Sequence, residues 1–268
     1  MKRKEVNTGG NRSIKTFFLF CLVVLLLILG SFSIKLFFLF KDSSFDGKHR
    51  FTLEVRHSPR EADILTFEPI TGSIDIVNLS ASKDAGSLAD IYGVPVDGVI
   101  KDSGDRVTNK NLLNKLYKFM FRITSGEDVN SLDVFRLVLF SYGVERGQVG
   151  VEKVSDKEFI SKNLIDETFL DHELVDENKT ISIVNAAGQP GLAGRTERIL
   201  NSLGANVVSV TTSPDIEDSS RIEYAGDVSY TLSRIQRFAK FPLKNVEEER
   251  LSDILIVLGE DSIKDPEE

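Results

Sequence analysis

Residues 17–34 read FFLFCLVVLLLILGSFSI, eighteen positions without a charge. A bilayer core about 30 Å thick needs roughly 20 apolar residues at 1.5 Å each, so this run predicts a membrane-spanning helix over 17–40. Lys35 can snorkel, and Leu36–Phe40 extend the apolar stretch. A cleaved signal sequence would have a shorter apolar core of about 7–15 residues and a small-x-small cleavage site. The chain instead continues Gly-Ser-Phe-Ser-Ile-Lys after Leu29, so a retained anchor is expected. Cys21 reads as a lipid-facing or packing residue.

Beyond the span the pattern changes. Phe51, Leu53 and Val55 alternate with polar residues, the period of a half-buried strand. ADILTF (62–67) and SIDIVNL (73–79) flank the turn residues Glu68-Pro69-Ile70-Thr71-Gly72 and predict a hairpin. Leu112, Leu113, Leu116, Phe119 and Met120 recur at helical spacing behind the candidate caps Thr108 and Asn109. A second helix is expected over 131–141, with Leu132, Phe135, Val138 and Leu139 buried and Gly143 at its C-cap. An acidic stretch (151–178) reads as a hydrated connector; His172 lies there among Asp171, Glu173 and Asp176 without a scaffold for a metal. TISIVN (180–185), a glycine-containing loop, a helix over 192–203 and ANVVSVT (205–211) then form a βαβ-like unit. In that helix Leu192, Ile199, Leu200 and Leu203 are expected inward, with Gly204 just past its end. SRIEYAG (220–226), SYTLSRIQRFAKF (229–241) and LIVL (255–258) repeat the strand–helix–strand theme. The expected class is α/β: a basic segment (1–16), one transmembrane helix, an α/β region (50–150), the connector and a second α/β region (179–262).

Charge and composition narrow the function. Lys and Arg number 33 against 41 Asp and Glu, a net −8, and nucleic-acid binding needs a basic face. One Cys cannot close an intramolecular disulfide, and with three His it cannot build a Cys/His zinc site. Lys2, Arg3, Lys4, Arg12 and Lys15 precede the span, against Lys35, Lys41, Lys48 and Arg50 after it. The bias favours a cytoplasmic N-terminus and an extracytoplasmic region beyond residue 41, in a single-pass protein of the cell membrane.

Gly188, Gly191 and Gly194 sit at a strand-to-helix loop, but in G-x-x-G-x-x-G spacing. A dinucleotide fingerprint needs G-x-G-x-x-G and a later acidic residue, and the P-loop Gly-Lys-Ser/Thr is missing, so no nucleotide is expected. Gly188 and Gly191 would let the loop turn tightly, and the N–H groups of the helix start could receive an anion with help from Arg195 and Arg198. Asn185 completes this candidate ligand set, although bonding to the loop backbone is its plainer role. Close helix–strand packing is likewise the plainer account of the glycines. No nucleophile elbow, HExxH or Ser/His/Asp set is present, so no catalytic or metal-ligating residue is assigned.

Val184-Asn185-Ala186-Ala187-Gly188-Gln189-Pro190-Gly191-Leu192-Ala193 resembles the hallmark of the LytR C-terminal domain, a strand running into Val-x-Asn-Gly/Ala-x-Gly-x-x-Gly-Leu-Ala, with one residue fewer between Val and Asn. Arg221–Tyr224 and Ile256–Asp261 match its later strands. The proximal hairpin resembles the start of the LytR-CpsA-Psr catalytic domain. Where that family has an Arg-containing loop, this chain has Ser80-Ala81-Ser82-Lys83-Asp84, and Arg60-Glu61-Ala62-Asp63 stands at a different spacing from its Arg-Ser-Asp motif. The resemblance implies a non-catalytic binding or scaffolding protein of the cell envelope, needing no cofactor, with the membrane and a cell-wall glycopolymer or peptidoglycan as partners. The alternative it implies is a Mg²⁺-dependent transferase moving glycopolymer from a polyprenyl-pyrophosphate carrier to the wall.

Overall fold

A computed structural model describes residues 9–41, 43–81, 93–122, 129–155, 169–247 and 251–263. The chain forms two compact units, Met1–Ser43 and Ser44–Glu268. Among its described residues the first holds one helix, α1 (Gly9–Lys41). An eighteen-residue window of its Phe17–Lys41 stretch has a mean hydropathy of 2.9 with none of that window buried, so the helix is long and apolar enough to cross a membrane. Apolar side chains such as Leu19, Leu27 and Phe32 face outward all round it, which suits hydrocarbon and not water.

The second unit holds, among its described residues, two five-stranded sheets. The first has the order β4-β1-β2-β3-β5, with β1 (Phe51–Ser58), β2 (Glu61–Glu68), β3 (Ser73–Ser80), β4 (Gly98–Lys101) and β5 (Val149–Ser155). β1, β2 and β3 form the antiparallel meander that the hairpin pattern predicts, and β4 and β5 add in parallel at its edges. β1 is not half-buried as its alternation suggests; both faces are covered along Phe51–Val55. Leu53, Leu65, Phe67 and Ile76 pack on one side under α2 (Leu112–Arg122) and α3 (Ser131–Gly143). On the other side Ile64, Val77 and Leu79 pack against Val94, Val154 and Phe169. The polar members of β1 and β2 are thereby drawn into the interior, where each must find a partner.

The helix α3 departs from its expected orientation. Its inward stripe is Val134, Leu137, Val138 and Ser141, while Phe135 is 44% and Leu139 55% exposed. Gly143 is its last helical residue, and the C-cap is Val144. The helix start decides this rotation. Asn130 Oδ1 accepts from the N–H groups of Leu132 and Asp133, while Asp133 Oδ2 accepts from Asn130 N–H at 2.9 Å, a closed capping box. The other Asp133 oxygen takes the N–H of Phe45 at 2.8 Å, and Arg136 donates to the Phe45 carbonyl. The Phe45 ring packs against Phe51 and Phe140. With Asp133 committed inward, its helical neighbour at i+4, Leu137, follows it, and Phe135 at i+2 is turned out.

The second sheet has the order β7-β6-β10-β8-β9. Here β6 (Thr180–Asn185), α5 (Leu192–Ser202) and β7 (Asn206–Thr212) form one parallel β–α–β unit. β8 (Arg221–Tyr224), α6 (Tyr230–Ala239) and β9 (Leu243–Asn245) form another, with β10 (Ile254–Leu258) inserted between them. Ile181, Ile183, Ile222, Ile254 and Ile256 make one apolar cluster with Leu200, Leu203, Leu232 and Ile235 of the two helices. Ile199, expected inward, is only half-buried, and Ala193 takes an inward place.

Between the two sheets lies a buried ionic cluster. Arg234 on α6 has no exposed side-chain surface; it donates to Asp97, just before β4, and at 3.1 Å to Asp171. Asp171 caps α4 (His172–Glu177) and accepts from the Tyr230 hydroxyl at 2.8 Å, which with burial holds that phenol above its ordinary pKa. Glu177 takes the N–H groups of Tyr230 and Thr231 at the start of α6. The described part of the acidic stretch is thus bonded to protein: Val149–Ser155 is a strand and His172–Glu177 a helix. Asp97 also pairs with the Thr52 backbone, so α6 is tied directly to β1. Replacing Arg234 by Ala leaves two buried carboxylates without their cation, a change that costs about 3–5 kcal/mol. Urea unfolding of R234A should show a midpoint lowered accordingly; an unchanged midpoint would mean the cluster contributes nothing to the docking.

Candidate functional site

The carboxyl ends of β6, β7 and β10 and the start of β8 bring three loops together, 186–191, 213–220 and 259–262. Asn185 closes β6 with a buried side chain whose amide is engaged at both ends: Nδ2 donates to the Gln189 carbonyl at 2.8 Å and Oδ1 accepts from Ala187 N–H at 3.1 Å. Its place in the candidate set is therefore as the clasp of the loop. Gly188 (φ +70°) and Gly191 (φ +86°) both lie in the left-handed region, and a Cβ on Gly188 would stand 3.1 Å from Ile216 Cδ1. Gly191 is also the N-cap of α5 and brings no side chain to its first turn.

Arg195 and Arg198 lie on the exposed side of α5. Arg198 donates to the Gly194 carbonyl within its own helix. The neighbouring loops carry opposite charge. Arg221 is held between Glu217 and Glu223, and Asp261 accepts from Ser220 N–H at 2.7 Å. Gly259 admits no side chain, since a Cβ would come 2.5 Å from the Ser219 carbonyl carbon. Glu217, Ser220, Arg221 and Pro242 line an open hollow beside Ile216. Loop 186–191 is thus built from the strand outward: β6 delivers Asn185, Asn185 clasps the loop, and the two glycines bend it into α5.

The proximal sheet carries a second polar constellation, which composition and spacing did not single out. Asp63 on β2 is fully buried and accepts from His57 Nε2 (2.7 Å), Asn78 Nδ2 (2.7 Å), Arg106 Nη1 (3.1 Å) and Val107 N–H (2.6 Å). Arg106 also donates to Ser80 Oγ at 2.8 Å, at the end of β3. The signal was present in ADILTF, where one carboxylate interrupts an apolar strand. Its partners, however, lie on three other segments. Beside it Asp102 accepts from Lys115 (2.7 Å), Lys118 (3.3 Å) and Arg122 (3.0 Å). Burial works to raise the Asp102 pKa, but the hydrogen bonds and charges of Lys115 and Lys118 override it and hold the carboxyl at about 2. Lys83 and Asp84, which stand where the family has its Arg-containing loop, lie outside the described residues. Among the described residues no three His, Cys, Asp or Glu side chains converge on a metal position.

The two-layer arrangement of β6–β10 with α5 and α6, entered through a clasped glycine loop, defines a small α/β module. Residues 178–261 match the family model of the LytR cell envelope-related transcriptional attenuator, so this part of the chain is a LytR C-terminal domain. No curated protein and no solved structure matches the chain.

His57 is the titratable group with the clearest consequence. Nε2 faces the Asp63 carboxylate and Nδ1 faces the Asp102 carbonyl at 2.7 Å, so both ring nitrogens donate and the ring is an imidazolium. The Asp63 hydrogen bond raises the His57 pKa above 6.5, against burial and the nearby Lys115. A raised pKa stabilises the fold fully below the unfolded value of about 6.5, and the contribution is lost as pH rises through the folded value. Urea midpoints measured from neutral toward alkaline pH should therefore fall, and His57→Gln should flatten that slope. An identical slope in H57Q would show that another group sets it.

Proposed function

We propose that this is a membrane-anchored protein of the cell envelope whose extracytoplasmic part binds or scaffolds a wall component without chemistry of its own. The observation that carries it is the LytR C-terminal domain in one chain with a helix long and apolar enough to span. The glycine loop of that domain and Arg195 and Arg198 supply N–H groups and positive charge for an anionic glycopolymer or peptidoglycan. The proximal sheet, as a degenerate LytR-CpsA-Psr domain, serves as its support. Favouring this role, Asp63 already accepts four hydrogen bonds within the protein, which leaves little lone-pair capacity for a hard divalent cation. The transferase reading keeps one observation in its favour: an Arg–carboxylate pair, Arg106 with Asp63, stands beside Ser80 at the end of β3.

The purified full chain in detergent, mixed with a polyprenyl-pyrophosphate glycan with and without Mg²⁺, distinguishes the two. Binding without cleavage, weakened several-fold in the Arg195→Gln/Arg198→Gln double variant, is the expected result. Metal-dependent release of the pyrophosphate carrier would establish the transferase, and Arg106→Ala should then abolish it. Topology is checked separately: protease added to intact cells should digest the region beyond residue 41, and full protection would overturn the extracytoplasmic assignment.

A further inference from the structure

The helix α3 is apolar all round. Val134, Leu137 and Val138 belong to the proximal core, while Phe135, Leu139 and Tyr142 stand exposed. A helix that is apolar on every side is stable when all of it is covered, and the core covers only the inner stripe. On the neighbouring α2, Tyr117 and Phe121 are exposed at i and i+4, Phe121 to 82%. The Tyr117 and Tyr142 hydroxyls bond at 2.7 Å with their rings edge to face, which joins the outer sides of the two helices into one patch. At about 200 Å² for a large side chain, the exposed fractions of these aromatic residues and Leu139 amount to roughly 550 Å². That is near the upper limit, about 600 Å², of what a monomer leaves to water.

The spacing within the patch says what fits it. Leu132, Phe135, Leu139 and Tyr142 follow one another at steps of 3, 4 and 3 residues, the seam along which paired helices interlock their side chains. These steps read the same in both directions, so the seam is complementary to itself when laid antiparallel. Phe135 then meets the partner's Leu139 and Leu132 the partner's Tyr142, each pair occurring twice about a two-fold axis. Charge does not oppose the pairing. Asp133 and Arg136, the charged residues of α3, are both bonded to Phe45, and Lys118 and Arg122 on α2 share Asp102. Two such patches face to face bury about 1,100 Å², and a polar rim brings the total to the roughly 1,200–2,000 Å² of specific interfaces. An aromatic, charge-poor centre is also the composition of such interfaces. We propose that two copies of this chain associate through α3, with α2 alongside, in an antiparallel two-fold pair that carries two LytR C-terminal domains.

Cysteine cross-linking in the full chain tests the pair. Cys21, the single Cys, is first replaced by Ser so that introduced thiols report alone. Chains carrying Phe135→Cys, Leu139→Cys or Val208→Cys are reconstituted in phosphatidylcholine vesicles and oxidised. Val208 is exposed on β7, the edge strand of the second sheet, and reports chance collision. F135C and L139C mixed before reconstitution should give several-fold more disulfide-linked dimer than either alone or than V208C. Yield in the mixture no higher than in V208C, with L139C open to a water-soluble maleimide, would show a bare face and overturn the proposal. The same low yield with L139C protected from maleimide would overturn it too, because something other than a second copy, such as lipid, would then cover the face. Higher yield in F135C or L139C alone than in their mixture would overturn the antiparallel seam and the proposal with it.

Discussion

The arginine that α6 buries between the two sheets is the constraint from which the larger unit takes its form. Arg234 reaches Asp97 of the proximal sheet and Asp171 of the acidic strap, and has no contact with solvent. A charge so placed is tolerable only if its partners are supplied at fixed positions, because desolvation costs several kcal/mol per ion. Asp97 is fixed by the Thr52 backbone and Asp171 by the N-cap of α4 and the Tyr230 hydroxyl. The LytR C-terminal domain is consequently held to its neighbour by a geometry, and its α5 also touches the proximal half through Ser202 and Gly93. The module is thus bonded to the proximal half of the unit through Arg234 and Ser202.

The same economy governs the proximal sheet. A five-stranded sheet covered on both faces draws polar strand residues inside; Asp63 and Asp133 are each met by donors from distant segments, and Asn78 donates to Asp63 and to the Val107 carbonyl. Asp63 and His57 use their full bonding capacity on the protein. Such groups specify which loop lies where, and they set the pH range in which the arrangement is tightest. The LytR C-terminal domain buries polar groups too, Arg234 and Thr231 on α6 and Glu223 on β8 among them, beside an apolar cluster rich in Ile and Leu. Its loops at the carboxyl ends of β6 and β10 meet around Asn185, Ser220 and Asp261.

Much of this was legible in the chain itself. Periodicity located the β2–β3 hairpin, β6, α5 and α6 to within a residue or two, and the end of α1, whose helix begins at Gly9, before the span expected from residue 17; these signals are local: eighteen uncharged positions, a Glu-Pro-x-x-Gly turn, a glycine loop before a helix. The ordered motifs of the LytR C-terminal domain could be read for the same reason, since each is a run of adjacent residues. The conformations of Gly188 and Gly191 followed from their type and place.

Tertiary structure alone decided how charges and faces were assigned. Asp171 and Glu177 read as hydrated acids, yet Arg234 and the start of α6 lie more than fifty residues further along the chain and claim them. Asp63, His57 and Arg106 come from separate segments, and no spacing announces their meeting. α3 shows the point most plainly. Its apolar residues cover so much of its circumference that several faces could have been buried, and the bond between Asp133 and Phe45, far apart in sequence, selected one. Hydrophobic periodicity determines that a helix has something to bury; which stripe is buried depends on what the rest of the chain brings to it.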